Sequence, residues 1–275
     1  MKNKKGWTCR DPRAVWRGHP KVTGVLIVAL GKATKIIPLL LHMDKQYVCV
    51  MKVHGDFDKK KLRKIVSEFV GPIYQRPPLR SSVKRVIRVR KIYNIDILEI
   101  EGRRVLMKIG CESGTYIRKL CYDIGDVLGP GAHMEELRRT RVGHFTEKTS
   151  VTMYDILDAY KIWKEEKEEK FIRKVLLPVE SAIESTPKIF IKDSAISALY
   201  HGASLAIPGI IGVETNINVG NMVALLSIRG ELIGIGYALM TSNDMISKDR
   251  GLAVKPTAIL VECIDYVKKK KFNIN

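Results

Sequence analysis

The stretch GCESGTYIRKLCYDIG, residues Gly110–Gly125, joins the end of a strand to the beginning of a helix. The residues around its start, IDILEIEGRRVLMKIGCES, predict two strands connected by a turn at Glu101–Arg103. The next segment, TYIRKLCYDIGDVL, has the apolar spacing of an amphipathic helix that starts near Tyr116, with Ser113 or Thr115 as its N-cap. This region therefore predicts two paired strands followed directly by a helix.

The flanking segments continue this mixture of strands and helices. KQYVCVMKVHG, Lys45–Gly55, alternates apolar and polar residues, which is typical of a half-buried strand ending in a glycine turn. DKKKLRKIVSEFVG, residues 58–71, has helical apolar spacing and a glycine stop. Residues 24–41 predict a strand, a turn and a short helix, and GPGAH, residues 129–133, predicts a loop.

The character of the sequence changes around Thr186-Pro187. Residues 151–178 are predicted to be helical, and the charged run Lys164–Lys170 is interpreted as a solvated helix face or a turn. Beyond this point, short apolar runs separated by Gly or Asn predict a small β-barrel or sandwich. We divide the chain into an N-terminal segment (1–17), a first domain (18–186), a second domain (187–265) and a basic tail (266–275).

The charge balance points to a polyanionic partner. The chain has 275 residues and a formal net charge of +19, with 48 Lys and Arg against 29 Asp and Glu. A surface this positive favours nucleic acid as the partner over an anionic membrane, and no basic amphipathic helix with an aromatic face is visible. No apolar run reaches the roughly 18 residues that span a bilayer and no signal-peptide core is present, so we expect a soluble, cytoplasmic protein without a membrane partner.

Metal and common cofactor motifs are missing from the sequence. The five cysteines include no C-x-x-C pair, which indicates neither a zinc site nor a disulfide framework. A glycine-rich phosphate loop, an H-E-x-x-H motif and a G-x-S-x-G motif are also absent. The sequence therefore predicts no metal and no cofactor.

A dense basic segment follows the predicted helix of residues 58–71. Pro77-Pro78 excludes regular structure within QRPPLRSSVKRVIRVRKIY, and no acidic residue interrupts the run. We interpret it as a phosphate-contacting segment in which Lys84, Arg88 and Arg90 share one strand face. Its cations are Arg76, Arg80, Lys84, Arg85, Arg88, Arg90 and Lys91.

Two further residues are ambiguous when taken alone. Arg118 falls in the first turn of a predicted helix, where the macrodipole disfavours a cation, so it is either a surface residue or the partner of a carboxylate or phosphate. Tyr47 lies in a predicted strand, and by itself it would be interpreted as a core aromatic.

Six motifs together resemble one family. They are GHPKVTGVLIVALGKATKII, KQYVCVMKVHG, QRPPLRSSVKR, GTYIRKLCYDIG, GAHMEELRRTRVG and VTMYDILDAY. In order and spacing they are similar to the TruB/dyskerin pseudouridine synthases, especially the archaeal homologues of dyskerin that act in RNA-guided box H/ACA particles. KDSAISALYHGASLAIPGI followed by ALMTSNDM resembles the PUA domain at the C-terminus of those proteins. The resemblance covers residues 18–265.

This resemblance implies an α+β fold. Residues 18–186 would form an incomplete catalytic domain, with a mixed, largely antiparallel sheet and helices, and residues 187–265 a PUA β-barrel. The implied reaction converts uridine in RNA to pseudouridine without metal or cofactor. An aspartate attacks the flipped nucleotide, the base detaches and rotates, and it rejoins the sugar through carbon.

The resemblance also assigns roles to residues. Tyr47 matches the tyrosine that stacks on the extruded base, Arg118 the arginine that pairs with the catalytic aspartate, and Lys84 a lysine on the substrate side. Leu137 lies in the motif that lines the pocket. The substrate-binding candidates are His19, Arg76, Arg80, Arg85, Tyr116 and Leu137, and the RNA-binding candidates of the PUA domain are Lys192, His201, Gly202 and Lys255.

The implied partners are RNA and small proteins. The RNA would be an H/ACA guide with rRNA, or a tRNA whose TΨC-loop uridine is modified. The proteins would be the three small subunits of the box H/ACA particle.

The sequence departs from the family at the catalytic loop. The family reads G-H-x-G-T-L-D-P-K-V-T-G, whereas Gly18-His19 here runs directly into Pro20, so five residues including the nucleophilic aspartate are absent. The segment that precedes this loop in the family is also absent. Three explanations remain open: a pseudoenzyme that acts as an RNA-binding or assembly module, substitution by Asp11 of Asp11-Pro12, or a reading-frame or start error.

The reading-frame explanation has a specific basis. WTCRDP, residues 7–12, can be back-translated so that a neighbouring frame gives Gly-His-Ala-Gly-Thr-Leu, the loop up to its nucleophile. The nucleotide sequence decides this point, because a second frame that does not spell the loop excludes the explanation.

Overall fold

A computed structural model describes residues 13–14, 22–77 and 84–261. No helix within these ranges is both long and apolar enough to cross a membrane. By packing, the chain divides into two compact units. We call them the seven-stranded unit, which holds the described residues of Ala14–Ile27 and Leu40–Ser150, and the six-stranded unit, which holds those of Val28–Leu39 and Val151–Asn275.

The elements alternate along the chain as follows. The strands are β1 Arg13–Ala14, β2 Val22–Gly24, β3 Val28–Ala29, β4 Lys45–Val53, β5 Gly71–Gln75, β6 Arg88–Glu101, β7 Arg104–Cys111, β8 Ala132–Val142, β9 Phe145–Thr146, β10 Lys188–Ile191, β11 Leu205–Ala206, β12 Ile210–Val213, β13 Met222–Ser227, β14 Leu232–Ala238 and β15 Leu252–Ile259. The α-helices are α1 Ile37–His42, α2 Lys59–Glu68, α3 Ile117–Leu128, α4 Met153–Glu166, α5 Glu169–Val175, α6 Asp193–Tyr200 and α7 Ser242–Ser247. Short 3₁₀ helices cover Gly31–Ile36, Glu147–Thr149, Val179–Ile183 and Ile207–Gly209.

The seven-stranded unit is built on a mixed, mainly antiparallel sheet. Its strand order is β2-β8-β4-β7-β6-β5, and β9 pairs with β8. Only the β2–β8 pair is parallel among the described strands of this sheet. The prediction of an α+β fold with a largely antiparallel sheet is confirmed.

Helices α2 and α3 cover one face of this sheet. Alternate residues of β4 point into the core, where Cys49, Met51 and Val53 are fully buried. The core cluster also contains Leu62 of α2 and Leu120 of α3. The apolar spacing of both helices therefore buries one stripe of each against the sheet, as the sequence predicts.

Helix α3 runs parallel to β4. The Sγ atoms of Cys121 and Cys49 lie 3.5 Å apart, which fixes the middle of the helix over the middle of the strand. Nearer the helix end, a Cβ added at Gly125 would lie 2.1 Å from the backbone nitrogen of Ala132, whose register partner is Val53. The first turn of α3 consequently lies toward the Lys45 end of β4.

The six-stranded unit has the sheet order β11-β15-β14-β13-β10-β12. Its pairs are antiparallel except β10 with β13. The core is formed by buried aliphatic residues of β10, β13, β14 and β15 and by α6. Lys35, in the 3₁₀ helix Gly31–Ile36, donates a hydrogen bond to the Ile259 carbonyl at 2.6 Å. The short strands expected in this part of the chain are present.

Three local predictions were wrong. The N-cap of α3 is Tyr116 rather than Ser113 or Thr115, because the Thr115 hydroxyl donates to the Glu112 carbonyl instead. GPGAH is a loop only up to residue 131, since β8 already begins at Ala132.

The third concerns Lys84, which precedes β6 and so does not share a strand face with Arg88 and Arg90. The first paired residue of β6 is Arg88, opposite Gln75. The proline pair that follows Gln75 cannot supply amide donors to continue the ladder, which explains why β5 ends there.

The helical region after Val151 is interrupted once. Lys167 adopts a left-handed conformation (φ 63°) that ends α4, and α5 follows. The charged run Lys164–Lys170 therefore spans a helix end and a turn. Packing divides the chain at Val151, whereas we predicted a domain boundary at residue 186; that boundary stays a prediction.

Candidate functional site

One row of residues crosses the sheet where the predicted site residues lie. Gly24 of β2 is the register partner of Arg139 of β8, and Arg139 is the partner of Tyr47 of β4. Gly24 has a φ of +95°, and a Cβ there would lie 2.1 Å from the Arg139 carbonyl oxygen. Only glycine permits this close approach of β2 to β8.

The neighbouring row contains Leu137. Its register partners are Val22 on β2 and Cys49 on β4. Leu137 is buried in the core cluster, and Val22 and Tyr47 pack against that cluster. Tyr47 and Leu137, which the resemblance places at one pocket, are thus on adjacent strands and within two residues of each other in register.

Arg118 lies at the same end of this sheet face. It is in the first turn of α3, and the first turn lies toward the Lys45 end of β4. Arg118 and Gly125 are separated by about 20° around the helix axis, so Arg118 is on the helix edge that packs against β8. The structure therefore brings Tyr47, Leu137 and Arg118 to one corner of the sheet, next to the strand that follows the predicted catalytic loop.

Arg118 is exposed, and within the described ranges it forms no ion pair. A cation in the first helical turn is disfavoured by the macrodipole. Its guanidinium is consequently available to an anionic partner at this corner of the sheet.

The turn that leads into α3 is held by a buried glutamine. Gln75 is 1% exposed. Its side-chain oxygen accepts the Tyr116 amide at 2.9 Å, and its side-chain nitrogen donates to the Tyr116 carbonyl at 3.2 Å. This pair replaces the missing side-chain cap and fixes the backbone two residues before Arg118.

Arg90 also contacts the turn that leads into α3. Its guanidinium lies 3.3 Å from the position of a Cβ on Gly114 and pairs with Glu112 at 3.4 Å. Glu112 also accepts the Lys91 amide at 3.0 Å. Arg90, which we predicted as a phosphate contact of the basic segment, thus has a structural partner.

Arg139 is buried and joins three parts of the site. Its Nε donates to the Val25 carbonyl at 2.8 Å, and its own carbonyl accepts the Val25 amide at 2.8 Å. Its guanidinium also donates to the Tyr47 hydroxyl. Arg139 therefore fixes Tyr47 and the chain just after β2.

Burial governs the electrostatics of this row. It raises the pKa of Tyr47 to about 12, although the Arg139 cation and its hydrogen bond act in the opposite direction. Burial also lowers the pKa of Arg139. Tyr47 accordingly stays a neutral phenol at physiological pH, with an aromatic face suited to stacking on a base.

Lys45 is a second half-buried cation at this end of the sheet. Burial, with a contribution from Arg139, lowers its pKa to about 8. Its ammonium donates to the carbonyls of Leu41 and Met43 at 2.7 and 2.6 Å. Lys45 and Arg139 line a small pocket with Ile27, Leu40, Leu41 and Val142.

The other basic candidates lie at the open end of the β5–β6 hairpin. Arg76 directly follows β5 and is exposed, as are Lys84 and Arg85 before β6. Arg85 donates to the Pro77 carbonyl at 3.4 Å. Three predicted site residues, Asp11, His19 and Arg80, lie outside the described residues.

The four candidates of the six-stranded unit do not form one cluster. Lys192 is the N-cap of α6 and donates to the Pro208 carbonyl at 2.7 Å, whereas His201 and Gly202 follow the other end of the same helix. The helix between them has eight residues, or about 12 Å. Lys255 is exposed on β15, opposite Tyr237.

Two residues of the site were not predicted from the sequence. Arg139 lies in the segment LRRTR, where no strand is predicted from the sequence. The signal that could have revealed it is that Leu137 and Arg139 are two residues apart, a spacing that places both on the same face of a strand. In the sequence, Gln75 is only the first residue of the basic segment. A polar side chain just before a proline break gave no sign of burial.

No metal centre is evident within the described residues, where no three His, Cys, Asp or Glu side chains form a cluster. At the corner of the sheet, Tyr47 supplies an aromatic face, Leu137 an apolar floor, and Arg118 and Arg139 positive charge.

Three family models match successive parts of the chain. The model of the TruB family pseudouridylate synthase N-terminal domain matches residues 19–117, and that of the tRNA pseudouridylate synthase B C-terminal domain matches residues 118–184. The PUA domain model matches residues 187–260.

Proteins similar over most of the chain come from archaea. The probable tRNA pseudouridine synthase B of Methanopyrus kandleri is 54% identical over 249 residues, which are 90% of this chain and 74% of that protein. The protein of the same name from Pyrococcus horikoshii is 52% identical over 236 residues, covering 86% of this chain and 71% of that protein.

Solved structures agree over nearly the whole chain. The Cbf5 structure in a Cbf5-Nop10-Gar1 complex has a TM-score of 0.88 and 47% identity, covering 94% of this chain and 78% of that one. A chain of an H/ACA RNP bound to a substrate RNA containing 2'-deoxyuridine has a TM-score of 0.83 and 44% identity, covering 92% of this chain and 77% of that one.

Proposed function

This chain belongs to the TruB family of pseudouridine synthases, and on that premise we propose that it binds RNA and isomerises a uridine to pseudouridine. The substrate is a guide-selected rRNA uridine, a TΨC-loop uridine of tRNA, or both. The corner of the sheet formed by Tyr47, Leu137 and Arg118 receives the extruded base.

Each side chain has a distinct role in this proposal. The ring of Tyr47 stacks on the extruded uracil, and Leu137 supplies an apolar floor. Arg118 pairs with the carboxylate that attacks the nucleotide. Arg76, Lys84 and Arg85 contact phosphates near the open end of the β5–β6 hairpin. Arg139 and Gln75 position Tyr47 and the Arg118 turn without touching the substrate.

The observation that carries the proposal is the register of three strands. β2, β8 and β4 place Leu137 and Tyr47 side by side, and α3 brings Arg118 to the same corner. Four separate sequence motifs contribute to this corner. Their convergence supports a pocket rather than an isolated core tyrosine and a surface arginine.

The structural neighbours suggest the partners. Solved relatives are a Cbf5-Nop10-Gar1 complex and an H/ACA RNP with substrate RNA. We propose that this chain likewise assembles with guide RNA and the small protein subunits of such a particle. Lys192, His201, Gly202 and Lys255 remain the candidate RNA contacts of the six-stranded unit.

A non-catalytic function is the second candidate. The junction of His19 with Pro20 lacks the aspartate that the family loop carries. This observation favours an RNA-binding or assembly module of an H/ACA-type particle that has retained the pocket without its nucleophile.

A single-turnover assay separates the two functions. The full chain, in excess, is mixed with RNA that carries tritium at C5 of uracil, because formation of the new carbon–carbon bond releases the C5 hydrogen. Tritium release supports the isomerase and excludes the non-catalytic module. RNA binding with no tritium release supports the module, and absence of RNA binding contradicts both.

A further inference from the structure

We propose that the outward face of α2 is an additional contact surface for the phosphate backbone of an RNA stem, a proposal that rests on the proposed RNA-binding function. This surface, the α2 basic face, consists of Lys59, Lys60, Arg63 and Lys64. All four side chains are exposed, and within the described parts of the chain they make no ion pair.

The orientation of α2 separates its cations from its apolar residues. Leu62, Ile65 and Val66 are buried in the core of the seven-stranded unit. At 100° per residue, Lys60 and Lys64 point away from that buried stripe, with Lys59 and Arg63 beside them. The four charges therefore form one continuous surface.

Internal electrostatics do not account for these cations. Lys59 and Lys60 lie in the first turn of α2, where a positive charge is disfavoured. The acid next to them is the N-cap Asp58, whose carboxylate accepts the Lys60 backbone amide at 2.8 Å and, within the described residues, forms no ion pair with either lysine. Lys61, by contrast, donates to the Leu128 carbonyl at the end of α3, where a cation is favoured. The folded unit thus uses Lys61 internally and leaves the α2 basic face to an external anion.

The lysine-rich helices α4 and α5 show how cations can be neutralised by acids of the same helix. In α4 and α5 the lysines alternate with glutamates, and Arg173 of α5 pairs with Glu169 one turn earlier. Such a mixed surface neutralises itself. The α2 basic face has only Glu68 as an acid within the helix, at its last residue.

The α2 basic face is also placed to contact the RNA beyond the bound nucleotide. The bond from Lys61 to Leu128 puts the first turn of α2 beside the last turn of α3, on the same sheet face. Arg118 is at the other end of α3, which is 12 residues or about 18 Å long. An RNA stem that flanks the extruded base must extend about five base pairs to reach α2.

Salt-dependent RNA binding tests this surface. A variant of the full chain with Lys59, Lys60, Arg63 and Lys64 replaced by Gln is compared with a control in which Lys161, Lys164, Lys170 and Lys174 are replaced by Gln. Both variants lose four positive charges, and Gln retains helix propensity. The probes are two RNA hairpins with the same loop and a long or a short stem, the latter under about five base pairs.

We expect the α2 variant to bind the long-stem hairpin at least about tenfold more weakly at low salt, with the slope of log K against log salt reduced by about 2 to 4 units. The control variant should keep the wild-type slope, and the short-stem hairpin should not distinguish the variants. Equal slopes for all three proteins on the long stem overturn the proposal, as does an equal loss in the control. If the wild-type chain binds neither hairpin, the proposed function fails as well.

Discussion

Arg139 and Arg118 lie at the same corner of the sheet, but they differ in burial and in their partners. Arg139 is 6% exposed and its contacts join Val25, Tyr47 and its own strand. Arg118 is exposed and, within the described residues, has no ionic partner. Arg139 contacts Tyr47 and the chain just after β2, whereas Arg118 lies in the first turn of α3, toward the Lys45 end of β4.

The difference shows how structural and functional cations can be told apart. A buried guanidinium is retained only where hydrogen bonds replace its lost hydration, as they do at Arg139. An exposed guanidinium at a disfavoured helix position contributes little to folding. We therefore propose that Arg139 positions Tyr47 and that Arg118 pairs with the carboxylate of the reaction.

The largest expected effect is on stability. Arg139→Met removes two side-chain hydrogen bonds and leaves the Val25 carbonyl and the Tyr47 hydroxyl without this donor, so we expect a loss of about 2–4 kcal/mol in the free energy of unfolding. Urea denaturation measures it. The matched control is Arg138→Met, since Arg138 is 59% exposed and pairs with Glu147, and a change within about 1 kcal/mol is expected there. Equal losses in the two variants would contradict the assignment.

A smaller loss is expected at the turn before Arg118. Gln75→Leu removes the side-chain acceptor of the Tyr116 amide and one of the donors to the Tyr116 carbonyl, which also accepts the Leu120 amide, and it should destabilise the chain by about 1–3 kcal/mol. Gln75→Glu keeps the oxygen acceptor and should lie between the wild type and the Leu variant. Thermal unfolding gives the order, and a Leu variant as stable as the wild type would show that the turn is held by other contacts.

The two arginines should also differ in their effect on Lys45. Because Arg139 helps to lower the pKa of Lys45, Arg139→Met should raise that pKa from about 8, whereas Arg118→Ala should leave it unchanged. NMR titration of the lysine side chains measures both. A Lys45 pKa that does not move in Arg139→Met would show that burial alone sets it.

The lowered pKa of Lys45 has a consequence for stability. Between about pH 8 and the ordinary lysine value of 10.5, the unfolded chain binds the Lys45 proton and the folded chain does not. Stability of the protein with Lys45 relative to that with Lys45→Met should therefore rise with pH across this window. Both proteins carry Cys111→Ala, because Lys45 lowers the pKa of Cys111 and the contribution of that thiol would otherwise differ between them. Tyr47, whose raised pKa acts in the opposite direction, is common to both proteins and cancels in the difference. A pH-independent difference would contradict the shifted pKa.

The smallest effect on folding is expected for Arg118→Ala. Its removal should change the free energy of unfolding by no more than about 0.5 kcal/mol, because the side chain is exposed. Urea denaturation beside Arg139→Met provides the contrast. A loss as large as that of Arg139→Met would place Arg118 among the structural residues.

Much of this arrangement was accessible from the sequence. Alternation in β4 and helical spacing in α2 and α3 predicted those elements, because each buries one face or stripe against a common core. The resemblance to the pseudouridine synthase family then assigned Tyr47, Arg118 and Leu137 to one site. The sequence pattern was sufficient where burial is periodic and apolar.

The remainder depends on long-range contacts that local patterns do not encode. The sequence predicts a loop at the start of β8 and no strand after it, and the charged residues of β8 conceal that Arg139 faces inward. The missing N-cap of α3 is supplied by Gln75, which is 41 residues away. The position of Lys84 outside β6 follows from where β5 ends, a property of its partner strand rather than of its own sequence.

Restoring the family loop tests the central claim most directly. Ala-Gly-Thr-Leu-Asp is inserted between His19 and Pro20, and tritium release from C5-labelled uridine RNA is measured for this chain, for the same insertion ending in Asn, and for the Asp insertion combined with Arg118→Ala. We expect release only from the Asp insertion with Arg118 intact. Tritium release from the Asp insertion that carries Arg118→Ala would contradict the proposed pairing of Arg118 with the carboxylate. Absence of release from all three proteins would contradict a pocket in which Arg118 and Tyr47 serve the reaction.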